Sequence, residues 1–229
     1  MTLSQVAQRA DLTRAGARRL LYTLEQLGFV GRKARLFFLT PKILRLGYAY
    51  TSSSPFWGYA HPVLGQLVGD VQETCTLAVL DGAEIVYVIR NSVRSVVSGG
   101  SVVGTRLPAY VTSMGRVLLG GLTEHELKDY FDRANMQKYT ERTVTDRQAL
   151  KGAIAQDREQ GWSWIQGELE EHICGLSVPV MDHEGRVCAA LNISVNSLRM
   201  TKEIALKTML PKLMIAAGQL HRGLELRAG

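Results

Sequence analysis

The first 28 residues carry the pattern that most restricts the fold. Thr2-Leu-Ser-Gln5 has the spacing of a capping box, and Leu3, Val6, Ala7 and Ala10 follow at helical intervals. Asp11-Leu-Thr13 interrupts the period. Thr13 is placed to cap a second helix running to Leu27, with Gly28 at its stop. Ala17, Leu20, Leu21, Leu24 and Leu27 share an apolar face of that helix, while Arg14, Arg18 and Tyr22 lie four apart on another, with Arg19 beside them. Two short helices joined by a three-residue turn, the second basic at its start, form a helix-turn-helix pattern. A helix of this length, roughly 20 Å, fits the major groove of duplex DNA. A plain helical hairpin with a basic rim would show the same periodicity, so the next segment matters.

Residues 29–33 and 34–40 read as two strands around a basic turn. Phe29, Leu36 and Phe38 are expected to cover the helices, and Arg32, Lys33 and Arg35 to point outward as a wing that contacts phosphate or the minor groove. Pro41 then starts a helix that Thr51-Ser-Ser-Ser-Pro55 breaks. The expected organisation is a DNA-binding domain over 1–40, a linker helix over 41–53 and a larger domain over 54–229. Charge follows this division. Residues 1–50 hold nine basic residues against Asp11 and Glu25, leaving 18 basic and 19 acidic residues in the other 179. The excess at one end implies a polyanion partner there and a different task for the rest.

Composition excludes several classes. Hydrophobic residues make up 46% of the 229, enough apolar surface to offset chain entropy. No apolar run approaches the roughly 18 residues of a membrane span, so no membrane partner is expected. Gln5, Arg9, Asp11 and Arg14 stand where a secretory signal needs an apolar run, which makes a cytoplasmic location the expectation. Cys75, Cys174 and Cys188 are odd in number and widely spaced, against a disulfide scaffold.

The larger segment mixes both periods. Helices are expected over 55–71, 113–119, 124–131, 146–160 and 202–226, and strands over 74–80, 84–90, 95–103, 162–168, 175–181 and 187–195. Asp81-Gly82 and Asp182-His-Glu-Gly185 provide the hairpin turns. This is an α+β domain around an antiparallel sheet. No catalytic constellation emerges. Gly99-Gly-Ser-Val-Val103 fails the nucleophile elbow at its last position, and His172, Cys174, His183 and Cys188 fit no zinc spacing. Glu168, Glu170 and Glu171 read as solvated surface. No metal, cofactor or enzymatic activity is expected. A binding pocket is the better reading. Thr112-Ser-Met-Gly115 opens a helix whose free N–H groups favour an anion, with Arg90, Arg106 and Tyr110 nearby. Thr112 or Ser113 acting only as a helix cap is the plainer alternative.

The stretches TLSQVAQRADLTRAGARRLLYTLEQLGFV, RLFFLTPKILRLGYAY, GTRLPAYVTSMGRVLLGGL, RTVTD and GELEEHICGLSVPVMDHEGRVCAALNIS together resemble the IclR family of bacterial transcriptional regulators, in family order over nearly the whole chain. The wording of GTRLPAYVTSMGRVLL resembles the subgroup that controls aromatic-acid catabolism through protocatechuate and β-ketoadipate. The resemblance implies a winged helix-turn-helix, a linker helix and a GAF-like effector domain, assembled as a dimer or a dimer of dimers. It also implies a further helix of about two dozen residues upstream. With the chain opening at Thr2-Leu-Ser, that first helix is expected to be missing and Leu3–Ala10 to lose its cover. The family holds small oxo-acids at positions that fall here on Ser113, Met114, Ile165 or Gln166, Gly175, Asn192 and Ser194. Gly175 is expected to enlarge the pocket, and Asn192 to offer both donor and acceptor, for a ligand such as a six-carbon oxo-dicarboxylate or a hydroxybenzoate.

The function this implies is a regulator of a catabolic operon that binds double-stranded operator DNA through Thr13, Arg14, Arg18, Arg19, Tyr22, Arg32, Lys33 and Arg35. Its effector would be a small carboxylate resembling β-ketoadipate or protocatechuate. Two other readings remain open at this point: a small-acid enzyme with a nucleic-acid tether, and an oligomerisation module whose basic half binds RNA or acidic protein.

Overall fold

The computed structural model describes residues 1–53, 55–92 and 102–225. Two compact units emerge, Met1–Ser54 and Pro55–Gly229.

The first unit holds α1 (Leu3–Arg9), α2 (Arg14–Gln26), β1 (Val30–Lys33), β2 (Leu36–Leu39) and α3 (Leu44–Ser53). Thr2 and Gln5 close the capping box, and the Thr13 hydroxyl accepts the Gly16 N–H at 3.1 Å. Gly28 stops α2 at φ +75°, which an L side chain rarely adopts. Strands β1 and β2 pair antiparallel around Ala34 and Arg35. Burial differs from expectation. Ala17, Leu21 and Ala7 are buried, but Leu20 and Leu24 on α2 and Leu27 at its C-cap remain 55%, 39% and 51% exposed. Leu36 and Phe38 also stay exposed instead of covering the helices, and the Phe38 ring lies over Gly31. The reason is geometric. Seven-residue α1 is too narrow to cover more than the Ala17/Leu21 row, so the adjacent leucine row stays open.

The second unit is built on a six-stranded antiparallel sheet in the order β5-β4-β3-β8-β7-β6. Its strands are β3 (Thr74–Asp81), β4 (Glu84–Asn91), β5 (Arg106–Pro108), β6 (Ser163–Gln166), β7 (Ile173–Met181) and β8 (Val187–Asn196). Alternation sorts the faces. Cys75 and Leu77, Cys174, Leu176, Val178 and Val180, and Ala189, Leu191, Ile193 and Val195 pack into one core. That core includes α4 (Pro55–Val71), α8 (Lys202–Thr208) and α9 (Leu210–Glu225). The intervening residues, among them Thr76, Gly175, Ser177, Asn192 and Ser194, face the other side. There α5 (Ser113–Gly120) packs on the sheet, with α6 (Glu124–Arg133) and α7 (Arg147–Gln160) contributing to the second core.

One helix differs from the sequence reading, and one expected strand falls largely outside the described residues. Residues 202–226 do not form one helix: the chain breaks at Met209, and Pro211, which has no N–H to donate, sits in the first turn of α9. The strand expected over 95–103 falls mostly on residues 93–101, outside the described residues. Val102 and Val103 belong to a turn that the Thr105 N–H closes on Val102 O at 2.9 Å.

Candidate functional site

A cavity of about 390 Å³ opens between the start of α5 and the inner sheet face, within the roughly 300–1,000 Å³ typical of small-molecule sites. Its floor comes from β7 and β8, where the period-2 rule that sends leucines and valines to the other core sends Gly175, Asn192 and Ser194 inward. Ile165 of β6 joins them. Gln166, expected at the site, is not among the lining residues, because its neighbour holds the inward position.

The β4 wall depends on a bulge. The β3–β4 register shifts between Leu77 and Ala78, so Tyr87 and Ile89 pair with consecutive residues and Val88 is left over. Tyr87 and Arg90, three apart, therefore both line the cavity. The Arg90 guanidinium lies 5.6 Å from the Tyr87 ring centroid and donates to Thr76 Oγ1 at 3.3 Å. Leu107, Val111 and Ile173 supply apolar walls.

At the helix end, Thr112 Oγ1 accepts the Gly115 N–H at 3.0 Å, and Thr112 O accepts that of Arg116. The cap reading of Thr112 is therefore realised. The N–H groups of Ser113 and Met114, first in the helix, have no intrahelical acceptor. Ser113 and Met114 both line the cavity, so capping and anion holding are compatible. Gly115 allows a close backbone approach: a Cβ there would collide with the Ala109 backbone, so the glycine permits α5 to pack on its own preceding turn.

Gly175 also corrects expectation. A Cβ there would stand 2.4 Å from Ser113 Oγ and 3.2 Å from Asn192 Nδ2. The absent side chain does not enlarge the cavity; it leaves room for a buried polar cluster. Ser113 Oγ lies 2.8 Å from Ser177 Oγ, and Asn192 Nδ2 reaches both hydroxyls at 3.2 and 3.1 Å. Ser194 donates to Asn192 Oδ1 at 2.7 Å.

Arg106 and Tyr110 lie elsewhere. Arg106 on edge strand β5 is bound to Glu84 at 2.7 Å and Asp81 at 2.8 Å, and Tyr110 is buried with its phenol on the Gln137 backbone at 2.6 Å. Glu168, expected as solvated surface, is 8% exposed and lines the cavity. Both its oxygens accept from Arg116 Nη2, at 2.7 and 2.8 Å. Burial pushes the carboxyl pKa up while Arg116 draws it down. Nothing in the sequence pairs residues 52 apart, so this contact was not legible there.

Among the described residues, no three histidine, cysteine or acidic side chains gather as metal ligands. Burial pushes the Cys75 thiol up to about 12 and the Cys188 thiol up to about 11, which keeps both protonated at neutral pH. No helix among the described residues is long and apolar enough to cross a membrane.

In the first unit, Thr13, Arg14, Arg18, Arg19 and Tyr22 are exposed along the start and middle of α2, as are Arg32, Lys33 and Arg35 at the β1–β2 turn. Arg32 lies 3.6 Å from Glu25, a loose surface pair.

A helix-turn-helix with an outward cationic face, on a chain that also carries a sheet domain enclosing a small partly polar cavity, defines a DNA-binding regulator with a ligand domain. The family models agree. Residues 1–34 match the IclR helix-turn-helix domain, and residues 48–222 match the bacterial transcriptional regulator IclR C-terminal domain. The chain belongs to the IclR family of bacterial transcriptional regulators.

Among similar proteins, the Pca regulon regulatory protein of Pseudomonas putida is 38% identical over 96% of this chain and 76% of its own. A solved protein from Rhodococcus sp. RHA1 is 42% identical with a TM-score of 0.83, covering 99% of this chain and 91% of that one. A double mutant of the PobR inducer-binding domain from Acinetobacter, in complex with 3-hydroxybenzoic acid, is 27% identical with a TM-score of 0.67, over 72% of this chain and 96% of that one.

Proposed function

We propose that this chain regulates a catabolic operon of aromatic-acid or β-ketoadipate metabolism, and that its effector is a small carboxylate of that pathway held in the α5 cavity. One observation carries the reading: the start of α5, with its uncapped Ser113 and Met114 N–H groups, and a hydroxyl–amide floor line a cavity whose remaining walls are Tyr87, five aliphatic side chains, Arg90, Glu170 and Glu168, the last with both oxygens bound to Arg116. That combination suits a flat or short-chain acid, whose carboxylate needs donors and whose body needs apolar contact. The similarity to a Pca regulator and to a hydroxybenzoate-binding domain supports the same class. Arg14, Arg18, Arg19 and Tyr22, with Thr13 at the helix start, would read and grip the major groove, and Arg32, Lys33 and Arg35 the neighbouring backbone. Effector binding would shift the balance between geometries of a homo-oligomer, needing only ~1–3 kcal/mol of coupling to change operator occupancy several-fold.

Thermal denaturation tests the ligand half. At a hundredfold excess over its dissociation constant, the correct acid stabilises by roughly 2.7 kcal/mol, or about 5–10 °C for a domain of this size. Protocatechuate, β-ketoadipate and 4-hydroxybenzoate are the compounds to screen. Gly175→Ala, which pushes Ser113 Oγ aside, is expected to lose most of the shift while still unfolding cooperatively. A full shift in that variant would move the site elsewhere, and turnover of the acid would replace the sensor with an enzyme.

A further inference from the structure

The hydroxyl protons in the cavity floor are not interchangeable. Leu176 O can only accept, and it lies 3.2 Å from one end of the Asn192 side-chain amide, which makes that end Nδ2. Oδ1 then faces Ser194 Oγ, so Ser194 donates inward at 2.7 Å. This leaves the Ser113–Ser177 pair, where distance alone allows either to donate. Burial removes the ambiguity. Ser177 has no exposed surface, and among the described residues its hydroxyl meets two polar groups: Asn192 Nδ2, which only donates, and Ser113 Oγ. A buried O–H without an acceptor is costly, so the Ser177 proton goes to Ser113. Ser113 already accepts from that side, and its own proton turns toward the cavity it lines.

We infer that Ser177, which does not line the cavity, is the positioning residue that makes Ser113 a hydrogen-bond donor to a bound carboxylate. The chain runs Ser177 O–H to Ser113 O–H to ligand oxygen, each link polarising the next. It adds a hydroxyl donor at the helix start that also carries the uncapped Ser113 and Met114 amides, which suits an ionised carboxylate oxygen. Gly175 is the enabling neighbour, because any Cβ there would collide with Ser113 Oγ and break the chain. The inference rests on the proposal that the cavity holds an acid.

The test is a double-mutant cycle read by calorimetric titration at neutral pH with protocatechuate, β-ketoadipate and 4-hydroxybenzoate. Ser113→Ala and Ser177→Ala are each expected to weaken binding roughly 3- to 10-fold, the scale of one hydrogen bond. The Ser113→Ala/Ser177→Ala double variant is expected to bind no more weakly than Ser113→Ala alone, because Ser177 acts through Ser113. Ser177→Cys, similar in shape with a weak donor, is expected to fall between wild type and Ser177→Ala. Losses that simply multiply in the double variant, or unchanged binding in Ser177→Ala, overturn the positioning role while leaving the cavity as the ligand site. A wild-type protein that binds none of the three acids saturably removes the cavity proposal, and this inference with it.

Discussion

Glu168→Ala is expected to destabilise the sheet domain by about 3–5 kcal/mol, because it strands the Arg116 guanidinium in a site that is 7% exposed. For a domain of this size that is a fall in midpoint on the order of 10 °C, measurable by thermal denaturation without ligand. The pair holds more than two side chains. Arg116 belongs to α5, the helix that starts the cavity, and its Nε donates to Tyr110 O at 3.4 Å. Glu168 belongs to the segment between β6 and β7, where its carbonyl accepts from the Thr143 hydroxyl at 2.6 Å. Losing the carboxylate therefore loosens both the helix and the segment facing it. The control is the double variant Arg116→Met/Glu168→Leu, which removes both charges and is expected to be clearly more stable than Glu168→Ala. Equal instability in the two would assign the loss to packing instead of charge.

Operator binding is expected to fall by about 10³-fold per chain between 50 and 200 mM salt, if all six exposed cations of α2 and the wing meet phosphate or displace its counterions. The six are Arg14, Arg18, Arg19, Arg32, Lys33 and Arg35. Their slope in log affinity against log salt would be about −5 for each chain, and each phosphate contact removed would reduce it by about one. Arg18→Ala distinguishes two roles. A phosphate contact gives weaker binding on every sequence and a shallower slope. A base contact relaxes the sequence preference and costs about 1–3 kcal/mol on the operator alone. Titration of labelled promoter duplex and a scrambled duplex over a range of salt separates the cases. A flat salt response would remove the nucleic-acid assignment.

Local chemistry accounts for the elements that could be read in advance. Capping residues at Thr2 and Thr13 start two helices at the expected places, and Gly28 ends the second in the left-handed region. The exposure of Arg19 and Tyr22 followed from their distance around the helix from Ala17 and Leu21, whereas Arg14, three and seven residues before that pair, stands near their face and is exposed all the same. The cavity was legible in part. Ser113, Gly175, Asn192 and Ser194 were singled out, but Tyr87, Glu168 and Ser177 were not, and Arg106 and Tyr110 were drawn in by nearness along the chain. A bulge, an ion pair spanning 52 residues and a hydroxyl contact spanning 64 leave no local mark.

Helix starts, strand faces and the cationic front follow from interactions within a few residues, which chain order records directly. The meaning of the glycines, the partner of Glu168 and the direction of the Ser177 proton arise where distant strands and α5 converge. There, each side chain's role is set by which neighbours exclude water from it, and that becomes defined once the sheet has closed.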